Sequence, residues 1–433
     1  MTSHVPSHPF LNLMRALLGS PRFSASLSVT IIGAVLAALL LRELSGWPGQ
    51  LAILAGLVML GIPSLVAQRE SIEWHGLLPI SLMIFIGWAI LSTLWSQYNW
   101  PTVGSVLYLT MTTFLGVYVA LVRDTIQIAR LFGDVLRLAL GLSVLLEIFS
   151  GVLIDSPIPF LHIEGNLAIL GPIQGIFGSR NELGIVALVA LVTFSTELRT
   201  QSVSRQRAVA SLILGAGILV LTRSSIALGT LALVCLAAFA LYALRRIADD
   251  KKRIWQIVLL ATTVTVVAIA WAARVQIINA LSASAELNLR LSIWRPLRLL
   301  IPIHNLEGYG WVGSWWQSIS PFSLIRDLHG ASPASGLNAY VDVWFQLGLI
   351  GLFAFVVLVG LAFIRSWLLA SRHRSFVYAW PALVLIVLLV SGLAESSLLI
   401  DFGWFTFVVC TVKASRELSW RRAFVEAGAP LRP

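Results

Sequence analysis

The feature that most limits what this chain can fold into is a series of apolar runs, each about as long as a bilayer core is thick, recurring from end to end. A helix needs about 20 residues to cross roughly 30 Å of hydrocarbon. Runs near that length are centred on residues 26–43, 50–66, 77–94, 104–122, 132–154, 182–197, 207–221, 224–243, 254–273, 338–364, 377–393 and 398–412. Only 12% of residues are charged and 58% are hydrophobic, whereas a soluble domain carries roughly 25% charge. Lipid is the solvent such a chain fits. The expected fold is therefore all-α, a polytopic membrane helical bundle of about 12 transmembrane helices. The first run, Ala25 to Leu41, is followed by Arg42 to Gly49 with no small-x-small cleavage pattern, so it reads as a retained span rather than a signal peptide.

An even number of spans puts both ends on one side, and the distribution of basic residues says which. The segments on the amino-terminal side carry 21 of the 30 basic residues, including every lysine: Lys251, Lys252 and Lys413. These segments are expected to be cytoplasmic, with both termini on that side of the membrane. The net charge of +10 is thus a topology signal and not a nucleic-acid footprint, because the basic residues fall in short loops beside spans. Cys235 and Cys410 lie inside apolar runs, where small packing residues are the expected role. Trp47, Trp95, Trp100, Trp311, Trp315 and Trp316 fall near span ends or in outer loops and are expected to anchor at headgroups.

Eight basic residues break the rule: Arg42, Arg180, Arg223, Arg274, Arg290, Arg295, Arg298 and Arg326 fall on the outer side. All are arginine. The topology rule makes no such choice, but a fixed fork of donors suits bidentate capture of phosphate. An anionic ligand outside is the expectation. Residues 1–433 are read as a single membrane domain, with the extracytoplasmic loops 155–181 and 274–337, the second between helices 9 and 10, forming a cap over the site.

Four constellations face that side. Gly175 to Gly184 runs from an outer loop into the sixth span and sets Arg180, Asn181 and Glu182 at a helix amino terminus, where free amides favour an anion; a plain cap with a headgroup-seeking arginine is the alternative. Leu221-Thr-Arg-Ser-Ser225 is a tight turn that holds Arg223 near the interface, where snorkelling to headgroups competes with function. In the large loop, Arg290 and Trp294 stand four residues apart on one helical face, ahead of Pro296; an interfacial helix is the alternative there. The tenth span opens with Asn338, Asp342 and Gln346 at i, i+4 and i+8, a polar stripe entering from outside, with Tyr340 between them. An intramembrane carboxylate points to function, with an arginine as partner. Asp327, His329, Glu395 and Asp401 are further outer titratable groups that nothing local singles out. Gly308-Tyr-Gly-Trp-Val-Gly313 spells a dinucleotide fingerprint but follows no strand, so its glycines read as turns above the membrane. No HExxH, CxxC, P-loop or GxSxG pattern occurs, and neither a metal nor a cofactor is expected.

In order and in shared topology, these pieces resemble the O-antigen ligase and polymerase superfamily of bacterial envelope glycosyltransferases. The likeness covers roughly residues 170–410 and rests on Phe177-Gly-Ser-Arg-Asn-Glu-Leu, the Thr-Arg-Ser-Ser turn, Arg290-Leu-Ser-Ile-Trp followed by Glu307-Gly-Tyr-Gly, and Asn338 through Gly351. It implies a GT-C-like bundle that moves a glycan from an undecaprenyl-pyrophosphate carrier to an acceptor hydroxyl on a glycan or glycolipid, inverting and metal-independent. Arg180, Arg223 and Arg290 then stabilise the departing pyrophosphate. Asn181, Trp294, Asn338 and Tyr340 are the expected substrate contacts. The chain departs from the ligase pattern at one point: Leu337 stands where ligases usually have His. Asp342 or His329 is expected to take the proton in its place. Membrane lipids are the other expected partner, and a transporter or flippase of an envelope lipid or sugar is the rival reading.

Overall fold

The computed structural model describes residues 15–70, 79–247, 249–273, 276, 284–329, 333–373 and 375–417. Among them every regular element is helical, and the one β-bridge, Ile158 to Ile163, is isolated. Among the described residues, seven helices are long and apolar enough to cross a membrane, and three shorter apolar ones accompany them. Length and composition thus support a multi-pass helical bundle, while the twelve-span count stays an expectation.

The first two apolar runs form one hairpin. Helix α1 (Pro21–Leu36) starts on a Ser20 cap with proline in its first turn, both ordinary start signals. Helix α2 (Ala38–Ala67) is two pieces joined at Gly46, whose φ of 70° and ψ of 176° reverse the chain; glycine takes that conformation without a Cβ penalty. The return is visible at the far end, where the Ser64 hydroxyl donates to the Leu18 carbonyl at 3.0 Å. Helices α3 (Ile80–Leu91), α4 (Asn99–Val122) and α5 (Thr125–Ile148) follow, the last begun by a capping box of Asp124 and Gln127. Ser179, Ser204 and Ser224 cap α6 (Arg180–Thr200), α7 (Arg205–Thr222) and α8 (Ser225–Arg246). Helix α9 (Asp249–Ala272) leads towards the long connection that holds α10 (Ser284–Leu300) and α11 (Phe322–His329).

Helix α12 (Ala339–Arg372) is broken at Gly348, which has a φ of 68°. Four backbone groups around the break are taken up by the preceding connection: Tyr309 N and Gly310 N donate to the Phe345 and Gln346 carbonyls at 3.2 and 2.8 Å, and Leu349 N and Ile350 N donate to Asn305 and Leu306 at 2.8 and 3.3 Å. Buried in an apolar bundle, unpaired groups of this kind are costly. Backbones approach so closely here that a Cβ on Gly308 or Gly348 would run into the facing carbonyls of Gln346 and Leu306. The glycines expected to make turns above the membrane are therefore spliced into the broken helix.

Helices α13 (Ala379–Ser391) and α14 (Asp401–Glu417) complete the bundle. Helix α14 is buried all round from Phe402 to Ala414, the pattern of a central helix. Its Trp404 indole donates to Thr113 on α4 at 2.8 Å, and Trp380 donates to Thr193 on α6 at 2.9 Å; a buried indole needs such an acceptor. Trp311 and Trp315, expected at headgroups, are buried at 1% and 4% exposure in two aromatic clusters. Large apolar side chains such as Met59, Ile80, Phe239 and Phe353 are meanwhile exposed on the outside, as a lipid-facing surface requires.

Candidate functional site

The amino terminus of α6, the turn between α7 and α8, helix α10 and the connection between α13 and α14 meet at one end of the bundle. Glu286 on α10 accepts from Arg180 Nη2 at 2.6 Å and from the Ser225 hydroxyl at 2.8 Å. One helical turn on, the buried Arg290 reaches the Ala394 carbonyl through Nε at 2.9 Å, the Glu286 carbonyl through Nη1 at 3.0 Å and Glu395 Oε1 through Nη2 at 3.2 Å. The same Glu395 oxygen accepts from Asn181 Nδ2 at 2.7 Å, and Asn181 Oδ1 accepts from the Ser224 hydroxyl at 2.7 Å. Arg180, Asn181 and Arg290, separated by up to 110 positions in sequence, are thus drawn together through two carboxylates, and the turn that carries Arg223 is tied to them through Ser224 and Ser225.

Arg290 has little freedom. Burial pushes Glu395 above the usual carboxylate range, and Arg290 and Asn181 pull it back. Arg223 is the opposite case. It ends α7 in a left-handed conformation at φ 47°, its neighbours Ser224 and Ser225 are tied to Asn181 and Glu286, and its own side chain is exposed with no protein partner among the described residues. One guanidinium is fixed and one is free. Arg180, with 39% of its side chain exposed, lies between these extremes.

The tenth-span stripe is used differently from what the sequence predicts. Asn338 caps α12, accepting from Tyr340 N and Val341 N at 3.0 and 3.1 Å, and its amide donates to Leu393 O at 2.7 Å. Asp342 is wholly buried; its oxygens accept from Gly336 N at 3.1 and 3.0 Å and from the Ser396 hydroxyl. Gln346 holds Val312 N and Gly313 N, each at 2.9 Å. The stripe faces neighbouring backbone, and the Asp342 carboxylate already has protein donors on both oxygens. Trp294 donates to Gly336 O at 2.7 Å, which fixes the segment before α12. Tyr340 turns away from the arginines, its hydroxyl 3.4 Å from Leu389 O and its ring against Phe355. His329 ends α11, and its side chain lies outside the described residues, as do Arg274 and the side chain of Arg326.

The connection at residues 392–396 is what sequence reasoning missed. It supplies Ala394 O and Glu395 to Arg290, Gly392 O to Ala339 N, and Ser396 to Asp342 and Asn338 N, so it ties the arginine cluster to α12. A polar Ser391-Gly-Leu-Ala-Glu-Ser-Ser run between two apolar ones was the available signal. Beside it lies a second cluster: Arg42 Nη2 contacts Asp401 Oδ2 at 3.3 Å, and the Tyr108 hydroxyl donates to the same carboxylate. An apolar cavity, by contrast, lies at the far end between α6, α8 and α13, around Arg199 and Arg245.

Residues 210–356 match the family described as O-antigen ligase. The match covers about a third of the chain, and over this segment the chain is similar to the O-antigen ligase/polymerase superfamily. The match takes in Arg223, Arg290 and the first half of α12 and stops short of Arg180, Asn181 and Glu395. No curated protein matches the chain. Together with the apolar helices, the match supports O-antigen ligase/polymerase-type glycosyl transfer by a multi-pass membrane protein.

Proposed function

We propose that the protein transfers a glycan from an undecaprenyl-pyrophosphate carrier to an acceptor hydroxyl on the extracytoplasmic face of a bacterial cytoplasmic membrane, by an inverting, metal-independent displacement. The single observation that carries this reading is the pairing of a free, exposed Arg223 with a fixed Arg290, joined through Asn181, Ser224, Ser225 and two glutamates. As the glycosidic bond breaks, negative charge builds on the pyrophosphate. Preorganised donors stabilise such charge most where water is excluded. Arg290 supplies the preorganised framework, the open fork of Arg223 supplies donors that phosphate oxygens fit bidentately, and Arg180, held to Glu286 through Nη2, adds its remaining donors.

Twelve spans with both ends cytoplasmic put this cluster outside, where the lysine-free arginine set of the sequence lies. The transporter alternative looks for a broken helix whose free backbone groups line a polar midplane site. The break in α12 is filled by residues 305–310 instead, which favours the transferase. The envelope glycans of a deletion strain test the proposal: lipid-linked precursor accumulating on the outer face supports transfer, and precursor held on the inner face overturns it.

A further inference from the structure

We infer that Glu182 takes the proton from the attacking acceptor hydroxyl, the role left vacant by Leu337; the inference rests on the transfer reading above. Glu182 stands in the first turn of α6, next to Asn181 and two positions from Arg180. Its backbone amide donates to the Ser179 cap at 3.1 Å, while its carboxylate has no hydrogen-bond or ion-pair partner among the described residues. The surrounding carboxylates are all engaged: Glu286 by Arg180 and Ser225, Glu395 by Arg290 and Asn181, Asp342 by Gly336 N and Ser396, and Asp401 by Arg42 and Tyr108.

Glu182 also lines a cavity. Its wall is Leu36 and Leu39 from the first hairpin, Phe177, Leu388 on α13, and Asp401 at the start of α14. The charged groups that face Glu182 are Arg42 on α2, Asp401 on α14 and Glu395 before it; α1 and α13 present apolar side chains. A carboxylate without a protein donor among the described residues, half-buried, opening on a cavity and carried by the same helical turn as Arg180 and Asn181, has the lone pairs a general base needs. In the step, the acceptor oxygen forms a bond to the anomeric carbon on the face opposite the leaving group. The bond from that carbon to the pyrophosphate oxygen breaks and its electron pair leaves with the pyrophosphate beside Arg223. The hydroxyl proton passes to Glu182 and then to solvent, so the carboxylate is regenerated.

The test compares Glu182→Gln, Glu182→Asp, Arg223→Ala and Arg290→Ala in purified protein supplied with a lipid-pyrophosphate-linked glycan and a hydroxyl acceptor, with rates taken across pH. Glu182→Gln is expected to lower kcat by roughly a hundredfold or more, to leave the KM for the donor within about twofold, and to abolish the acidic limb of the rate profile. Glu182→Asp keeps a measurable rate with that limb displaced. Should Glu182→Gln fail to fold, the aspartate variant decides: an unmoved limb overturns the inference. Loss of transfer in both arginine variants with normal transfer in Glu182→Gln removes the base assignment alone, whereas normal transfer in both arginine variants removes the transfer site itself.

Discussion

Arg290→Met keeps the aliphatic stem of a buried side chain and removes its charge. The guanidinium makes three hydrogen bonds, to Ala394 O, Glu286 O and Glu395 Oε1, and a longer ion pair at 3.7 Å to Glu286 Oε2. Removing one partner of a buried pair costs about 3–5 kcal/mol, because the remaining carboxylate is left in a poor solvent for charge. Protonation of Glu395 relieves that cost. Its carboxyl already sits above the usual range through burial, with Arg290 as the largest opposing influence, and the variant raises it further. Between the unfolded value, about 4.3, and the raised folded value, the native state holds a proton that the unfolded state has lost. Stability therefore falls as pH rises through this window, by up to about 1.4 kcal/mol per pH unit. The wild type shows the same slope over a narrower range. Thermal unfolding of detergent-purified protein from pH 5 to 8 should show a variant deficit that is small at the acid end and widens upward, and a Glu395→Gln change should recover part of it at pH 8. A deficit independent of pH, or unaffected by the second change, would refute the coupling of Arg290 to Glu395.

Arg223→Lys should lower transfer at least tenfold while the unfolding temperature stays within about 1 °C, since an exposed side chain without a protein partner contributes little to stability; an equal loss of both contradicts its role as a free donor. Gly348→Ala adds a Cβ against Leu306 O at a φ of 68°, and should cost more than the roughly 1–2 kcal/mol of the left-handed backbone alone, read as loss of monodisperse protein on size exclusion. Trp404→Phe gives up the bond to Thr113 and should destabilise by about 1 kcal/mol with transfer unchanged, read from unfolding temperature and rate together.

Helices were legible because hydropathy acts locally: the apolar runs centred on 104–122, 182–197 and 207–221 lie within α4, α6 and α7, whereas helix-starting residues such as Ser20, Asp124 and Ser204 were not singled out in the sequence. The three arginines were legible for a related reason, since a charge on the wrong side of a topology rule stands out in one dimension. Their carboxylate partners were not. Glu395 meets Arg290 and Asn181 across more than 100 positions in sequence, and Glu286, though one turn from Arg290, gains its bonds to Arg180 and Ser225 from 106 and 61 positions away. The helical stripe of Asn338, Asp342 and Gln346 was correct as spacing and silent on what it faces, because the break at Gly348 brings in a segment from outside the helix. Trp311 misled in the same way: amphipathic indoles favour interfaces, but here tertiary packing buries the ring at 1% exposure.

The central claim is that the arginine cluster acts on a lipid-linked pyrophosphate. Its most direct test is release of undecaprenyl pyrophosphate from a lipid-linked glycan donor by purified protein in liposomes, compared among wild type, Arg223→Ala and Arg290→Ala, with folding verified for each. The account predicts acceptor-dependent release by the wild type and at least a hundredfold slower release by both folded variants. Release at the wild-type rate by either folded variant would contradict it.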